Sequence, residues 1–477
     1  MATFPNTIFA GTSRGLWLLG DGPKQSPTQC LDAKGVRELV RIDNVIYAGT
    51  NDGLFASEDK GKTWAPRGLT GKQVWQLRDN GAGTLYAGTA PAGLYRSTDM
   101  GATWTPVHAF MELASNADWC IPIEPPVPAA ARALVVARVA NNGAHVDQLR
   151  VGVEVGGIAL SDDGGHSWKM ILPGDNPDLH MMFTHPNEPN TLFASTGYGR
   201  LDGIADMVEG NAGVFRSEDA GKSWHYAWHG IEPRYSRPMC IDPHPPYGLT
   251  VAAAPDAFSH YKRGEGAAAM LFRSEDAGRS WRNLGDPGHS PSRANFHGLN
   301  SDPRNPGGVF VGTDTGEVWR VGHNKEWQLC AEGLPTVLSV LASPDERTSA
   351  STGPSHMTNA QMRSLDQLAN AIRAAAEDIE QIGSLVETEK WGQSSFLPER
   401  ARIGTTVRIG AYDDDSVALY VHCQTTLVET WRTAFPELKF EKNRAVIFDA
   451  HAPLPTRIVG ELTKGALLYH WHKRKSK

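Results

Sequence analysis

Apolar positions in most of this chain come in short bursts that alternate with polar residues and break at glycine. FAGTSRGLW (9–17), YAGTNDGLF (47–55), YAGTAPAGLY (86–95), VGVEVGGIA (151–159) and FVGTDTGEVW (310–319) share one layout: an apolar string, a Gly-rich turn, and a second apolar string. FASTGYG (193–199) reaches GVF (213–215) across an insertion, and VAAAP (251–255) reaches MLF (270–272) likewise, which makes seven copies. Alternation with tight turns predicts antiparallel strand pairs, not helices. Upstream of several copies lies a further apolar string ending in Asp-Pro or His-Pro, as in MMFTHP (181–186), MCIDP (239–243) and GLNSDP (298–303).

Downstream sits a polar octet, seen five times: SEDKGKTW (57–64), STDMGATW (97–104), SDDGGHSW (161–168), SEDAGKSW (217–224) and SEDAGRSW (274–281). Its Asp accepts hydrogen bonds from turn amides, its Gly permits a positive φ, and its Trp packs on the sheet. The octet is therefore the hairpin between a third and a fourth strand. A repeat of this length predicts stacked four-stranded units. The chain opens on a second strand, TIFAGT, and the missing innermost strand is supplied by LPTVLSVLA (334–342). The expected fold is an all-β seven-bladed propeller over 1–343, closed by its termini.

The octet resembles the Asp-box (BNR) repeat of sialidase-like propellers. That resemblance implies structural roles for Asp59, Trp64, Asp99, Trp104, Asp163, Trp168, Asp219, Trp224, Asp276 and Trp281. The Arg-Ile-Pro motif of true sialidases is absent, so sialidase activity is not implied. Gly152-Val153-Glu154 with Gly156-Gly157, then Asp178 with His180, then His185-Pro186, resembles a pattern of glycosyl hydrolase-like Asp-box propellers.

The long insertions, 108–132, 197–212 and 255–269, all fall on the face opposite the octets. Loops on a rigid scaffold are where binding residues collect. Aligning the innermost strands on their terminal Asp or His places Glu38, Val74, His180, Arg237, His297 and Leu338 at one level of the channel mouth. The fourth blade stays open between WCIPIEPP and RALVVARV, that is, with Trp119 in the ring or above it. Arg237 is an anion fork, and histidine exchanges protons near neutral pH. The candidate ligand-binding set is Arg237, His180, His297, Trp119, Tyr198, Arg200, Arg234 and Tyr235; the catalytic candidates are His180, His297 and Glu38. No carboxylate is placed with the two histidines, so no metal and no cofactor is expected.

Two functions compete. One is a binding propeller for a small anionic ligand or a protein partner. The other is a glycan-acting hydrolase or lyase with a His acid/base and an Arg anchor, which needs paired carboxylates. A net charge of −7 gives no general attraction to nucleic acid or membrane. No apolar run is long enough to span a bilayer, five scattered cysteines suit a reducing compartment, and no signal peptide precedes the first strand, so a cytoplasmic location is expected.

From 344 the pattern changes. A Ser/Thr/Pro/Gly linker (344–357) precedes an α+β segment, 358–477. Its opening apolar positions Met362, Leu365, Leu368, Ile372, Ile379 and Ile382 keep a helical period. Trp391-Gly392-Gln393, Gly404-Thr405-Thr406, His422-Cys423-Gln424-Thr425, Asn443-Arg444-Ala445 and Tyr469-His470 resemble the YdhG-like domain of unknown function. That resemblance implies a frataxin-like shape and an accessory role.

Overall fold

The computed structural model describes residues 6–20, 26–141, 144–199, 206–257, 266–344, 359–377, 379–390, 393–400, 403–413, 415–422 and 425–475. The chain divides into two units, Met1–Ser349 and Ala350–Lys477.

The first unit holds seven four-stranded antiparallel sheets among its described residues. Sheet one joins Thr28–Lys34, Arg14–Leu19 and Asn6–Thr12 to Val337–Pro344. Sheets two to seven run in chain order, with first strands Glu38–Ile42, Gln73–Asp79, Ala131–Asn141, Leu179–His185, Tyr235–Ile241 and Phe296–Ser301. Each first strand touches that of the next sheet. The series closes on itself, because Phe296–Ser301 touches Val337–Pro344, which touches Glu38–Ile42. This is a β-propeller. The fourth sheet uses RALVVARV as its first strand, while Cys120–Ile121 pairs with Val127–Pro128 in a separate ribbon.

The apolar core is split into wedges between neighbouring sheets. Cys240, Ala252 and Leu271 of sheet six pack on Phe296, Val309 and Val311 of sheet seven, and the other junctions repeat the scheme. Close approach requires the glycine of the recurring AGT string. A Cβ on Gly88 would lie 2.2 Å from the Ala131 carbonyl oxygen, and one on Gly49 would lie 2.9 Å from that of Val74.

The octets form the expected hairpins. In SEDAGKSW, Asp219 Oδ1 accepts from the Ser217 hydroxyl (2.8 Å) and the Ser223 amide (2.8 Å), and Oδ2 accepts from the Ser223 hydroxyl (2.6 Å). Asp59, Asp99, Asp163 and Asp276 repeat this set. Trp104 and Trp281 donate to Arg67 and Ala227 carbonyls of the preceding sheet, which ties sheet to sheet; Trp64, Trp168 and Trp224 donate within their own hairpins.

In the second unit one six-stranded sheet carries helices Asn359–Glu377, Leu427–Ala434, Thr456–Leu467 and Tyr469–Lys475. Leu368 and Ile372 face the core from the first helix. The helical period expected through Ile382 stops earlier: the helix ends at Glu377, and Ile379 and Ile382 enter the same core from the turn that follows. The hairpin Leu385–Lys390 with Gln393–Pro398 forms the sheet's edge. Among the described residues, no helix is long and apolar enough to cross a membrane.

Candidate functional site

Six of the seven first strands skip one residue of their ladder, and the skipped residue turns toward the centre. In sheet five, Leu179 pairs with Thr196 and Met181 with Ser195, leaving His180 unpaired. In sheet six, Ser236 pairs with Ala253 and Met239 with Val251, so Arg237 and Pro238 share one place opposite Ala252. The same irregularity frees Trp75, Arg132, His297 and Leu338 in sheets three, four, seven and one. A β-bulge of this kind bends the strand and re-aims a side chain at a barrel or sheet rim. Sheet two has no skip, and Arg37 and Glu38 enter from the start of its strand.

These residues line one central cavity of about 650 Å³. Arg37 and Arg132 lie over the Trp75 ring, at 4.5 and 4.8 Å. Arg132 pairs with Glu154 at 2.5 Å, and Arg78 pairs with Glu38 at 2.6 Å. Burial pushes Glu38 up from the ordinary carboxylate range, opposed by Arg78. Arg237 Nη1 contacts His297 Nδ1 at 3.3 Å, and Nη2 donates to the Tyr235 hydroxyl at 3.0 Å. Burial pushes Tyr235 up, so it stays protonated.

His180 is fully buried. Its Nδ1 lies 2.6 Å from the Ser236 carbonyl oxygen and is therefore the protonated nitrogen. Its Nε2 lies 3.2 Å from Asp178 Oδ1 but is poorly directed for a hydrogen bond. Burial pushes the Asp178 carboxyl up, yet His180, Arg132 and the Tyr198 amide outweigh it and hold it below its ordinary range. Four polar atoms of this cavity's lining are buried without a hydrogen-bond partner among the described residues: Arg37 Nε, Trp75 Nε1, Arg237 Nε and His180 Nε2.

The residues singled out from the sequence divide as follows. His180, Arg237, His297 and Glu38 line the cavity together. Tyr198 and Tyr235 stand behind them, ring to ring at 5.3 Å. Arg234 points elsewhere and pairs with Glu209 and Glu232. Trp119 packs against Phe110 at 6.1 Å, outside the ring. Arg200 lies outside the described residues. Val74, placed in the ring by strand alignment, is buried between sheets, and the skip after it delivers Trp75 instead. The expectation that no carboxylate stands with the two histidines is corrected for His180 alone. Glu154, just past the end of strand Ala144–Val153, and Asp178, just before Leu179–His185, both converge on His180. Sequence reading also missed Arg37, Trp75 and Arg132. The signal for Arg132 was present, as the polar residue opening RALVVARV.

No family model matches the chain, and no curated protein matches it. Solved structures resemble it at low identity. An ancestral GH74 enzyme is 12% identical with a TM-score of 0.45, over 87% of this chain and 54% of its own. The chain thus spans about half of that enzyme. The GH74 enzyme of Niastella koreensis is 14% identical with a TM-score of 0.47, over 88% of this chain and 75% of its own. YCF48 bound to a D1 peptide is 14% identical with a TM-score of 0.42, over 74% of this chain and 99% of its own.

Proposed function

We propose that residues 1–343 form a seven-bladed Asp-box propeller that binds a small anionic ligand in its central cavity. One observation carries this reading. Arg37, Trp75 and Arg237 line one cavity, and Arg37 Nε, Trp75 Nε1 and Arg237 Nε are obligate donors, buried with no acceptor among the described residues. A buried donor without a partner costs about 1–3 kcal/mol, and an anion that draws these side chains round its oxygens recovers part of that cost. The guanidinium forks suit such oxygens in pairs. The second unit is read as a YdhG-like accessory domain.

The hydrolase reading draws support from the adjacent Glu154 and Asp178. Against it, Arg132 engages one carboxylate and His180 stands over the other. His180 itself is buried and fixed to Ser236, a poor position for exchanging protons with a substrate.

Thermal melting of the full chain with phosphate, citrate, sugar phosphates and uronic acids tests the proposal. A binding anion stabilises the parent by about 2.7 kcal/mol at a hundredfold excess over its dissociation constant. Arg237→Ala loses that stabilisation. Arg234→Ala, whose side chain faces Glu209 and Glu232, keeps it. Equal stabilisation of parent and Arg237→Ala by every anion would refute the site.

A further inference from the structure

We propose a divalent transition-metal site formed by Glu154, Asp178 and His180. One donor atom from each lies within 4.8 Å of the other two, and all three residues are buried.

The partners of these groups are arranged as they are around metal ligands. Each residue has one heteroatom tied down and the other left over. Glu154 gives Oε1 to Arg132, and Oε2 remains. Asp178 gives Oδ2 to the Tyr198 amide at 2.9 Å, and Oδ1 remains. His180 commits Nδ1 to the Ser236 carbonyl at 2.6 Å, and Nε2 remains. Metal-bound histidine characteristically donates its other nitrogen to a carbonyl or carboxylate, which fixes the tautomer and the ring plane. With Nδ1 committed to Ser236, Nε2 faces the Asp178 carboxylate, 3.2 Å away and off the hydrogen-bond line, so the pair is held by positive charge, a proton on Nε2 or a cation between them. Two acceptors in that position repel unless a cation or a second proton stands between them. Burial sharpens the point, because His180 has no solvent contact through which water could serve Nε2.

The dimensions allow it. Nitrogen and carboxylate ligands sit about 2.0–2.2 Å from zinc. Two donors on one tetrahedral ion are then about 3.3–3.6 Å apart; His180 Nε2 and Asp178 Oδ1 already stand 3.2 Å apart, and a side-chain shift of about 1 Å closes the set. One imidazole and two carboxylates select zinc, cobalt or manganese over magnesium or calcium, which prefer all-oxygen shells. Three protein ligands leave coordination positions open. Glu154 and His180 both border the central cavity, and both are buried there. The inference stands on this geometry and does not depend on the anion reading.

Co²⁺ is the probe, because its visible d–d band reports an ordered ligand set. The full chain, freed of metal with a chelator, is titrated with CoCl₂ in the absence of added anions. The expected result is one tightly held ion per chain, a visible band that zinc abolishes, and a raised melting temperature. Glu154→Gln and Asp178→Asn are each expected to weaken binding at least about tenfold. Glu154→Gln keeps an oxygen for Arg132, so its metal-free melting temperature checks that the sheet is intact. No band in the parent at millimolar Co²⁺ would overturn the site whatever the variants do. So would a band unchanged in both variants, which would assign the metal to histidines elsewhere. If the metal fails while an anion still stabilises the parent and not Arg237→Ala, only this inference falls; if both fail, both fall.

Discussion

Asp59 is half-buried and Asp99 exposed, yet each is held down to about 2, first by the hydroxyl of Thr63 or Thr103 and then by its amide. A carboxyl depressed in the folded state stabilises the fold at pH values above the unfolded pKa, about 3.9. That contribution is lost as pH falls through about 2. Asp163 and Asp219 are held at about 2 as well. Four such groups unload in one window, so acid titration followed by tryptophan fluorescence is expected to show a cooperative loss of stability between about pH 4 and 2. Asp219→Asn is expected to reduce the pH dependence in that window, and Asp219→Ala to cost about 1–3 kcal/mol by urea denaturation at pH 7 through its lost turn bonds. These roles were legible from the octet alone. The site was legible only in part. Strand alignment brought out His180, Arg237 and His297, but a skipped ladder position shifts the inside–outside alternation by one. Only Pro238, which cannot donate to a ladder, leaves a mark of that shift in the sequence. Trp75 therefore hid behind Val74. Arg37 and Glu154 lie just outside strands, where alternation gives no guidance.

At the scale of the sheet, the AGT strings show why a turn-like glycine recurs inside a strand. Gly11, Gly49, Gly88, Gly152 and Gly312 all sit where a Cβ would press on the neighbouring sheet or its first strand. The obstacle at Gly88 is backbone, the Ala131 carbonyl at 2.2 Å, and that strand also carries Arg132. Gly88→Ala is expected to destabilise the first unit by about 1–3 kcal/mol or more, as overpacking does. It is also expected to displace Arg132 and so weaken anion binding. Gly81→Ala, which meets nothing within 4 Å but has a φ of +70°, serves as the comparison for backbone strain alone. A melting temperature lowered equally by both would refute the packing argument. Sheets five and six replace this glycine with Ser195 and Ala253. Their different spacing is visible in the Ser195 hydroxyl, which donates to the Arg237 carbonyl at 3.1 Å. The sequence pattern thus carried both the strand order and, in its two exceptions, the place where the ring changes character.

For the whole first unit, the decisive pairing is Asn6–Thr12 with Val337–Pro344. Removing residues 337–344 leaves sheet one without its inner strand and uncovers Ile8 and Ala10, which pack on Val337 and Val340. Unpaired strand edges recruit other chains. The shortened protein is expected to form higher oligomers in size-exclusion chromatography and to lose its single melting transition; a monomer melting as the parent does would show that the ring needs no such clasp. The same pairing has a consequence for synthesis. Ribosomes add about 5–20 residues per second. The strand at Asn6–Thr12 is therefore made roughly 15–70 seconds before its partner exists. Through that interval the nascent chain carries an uncompleted sheet one, while sheets two to seven can each zip from contiguous residues. Binding of a nascent-chain chaperone is thus expected to concentrate on the first strands made and to end abruptly once Val337–Pro344 leaves the exit tunnel.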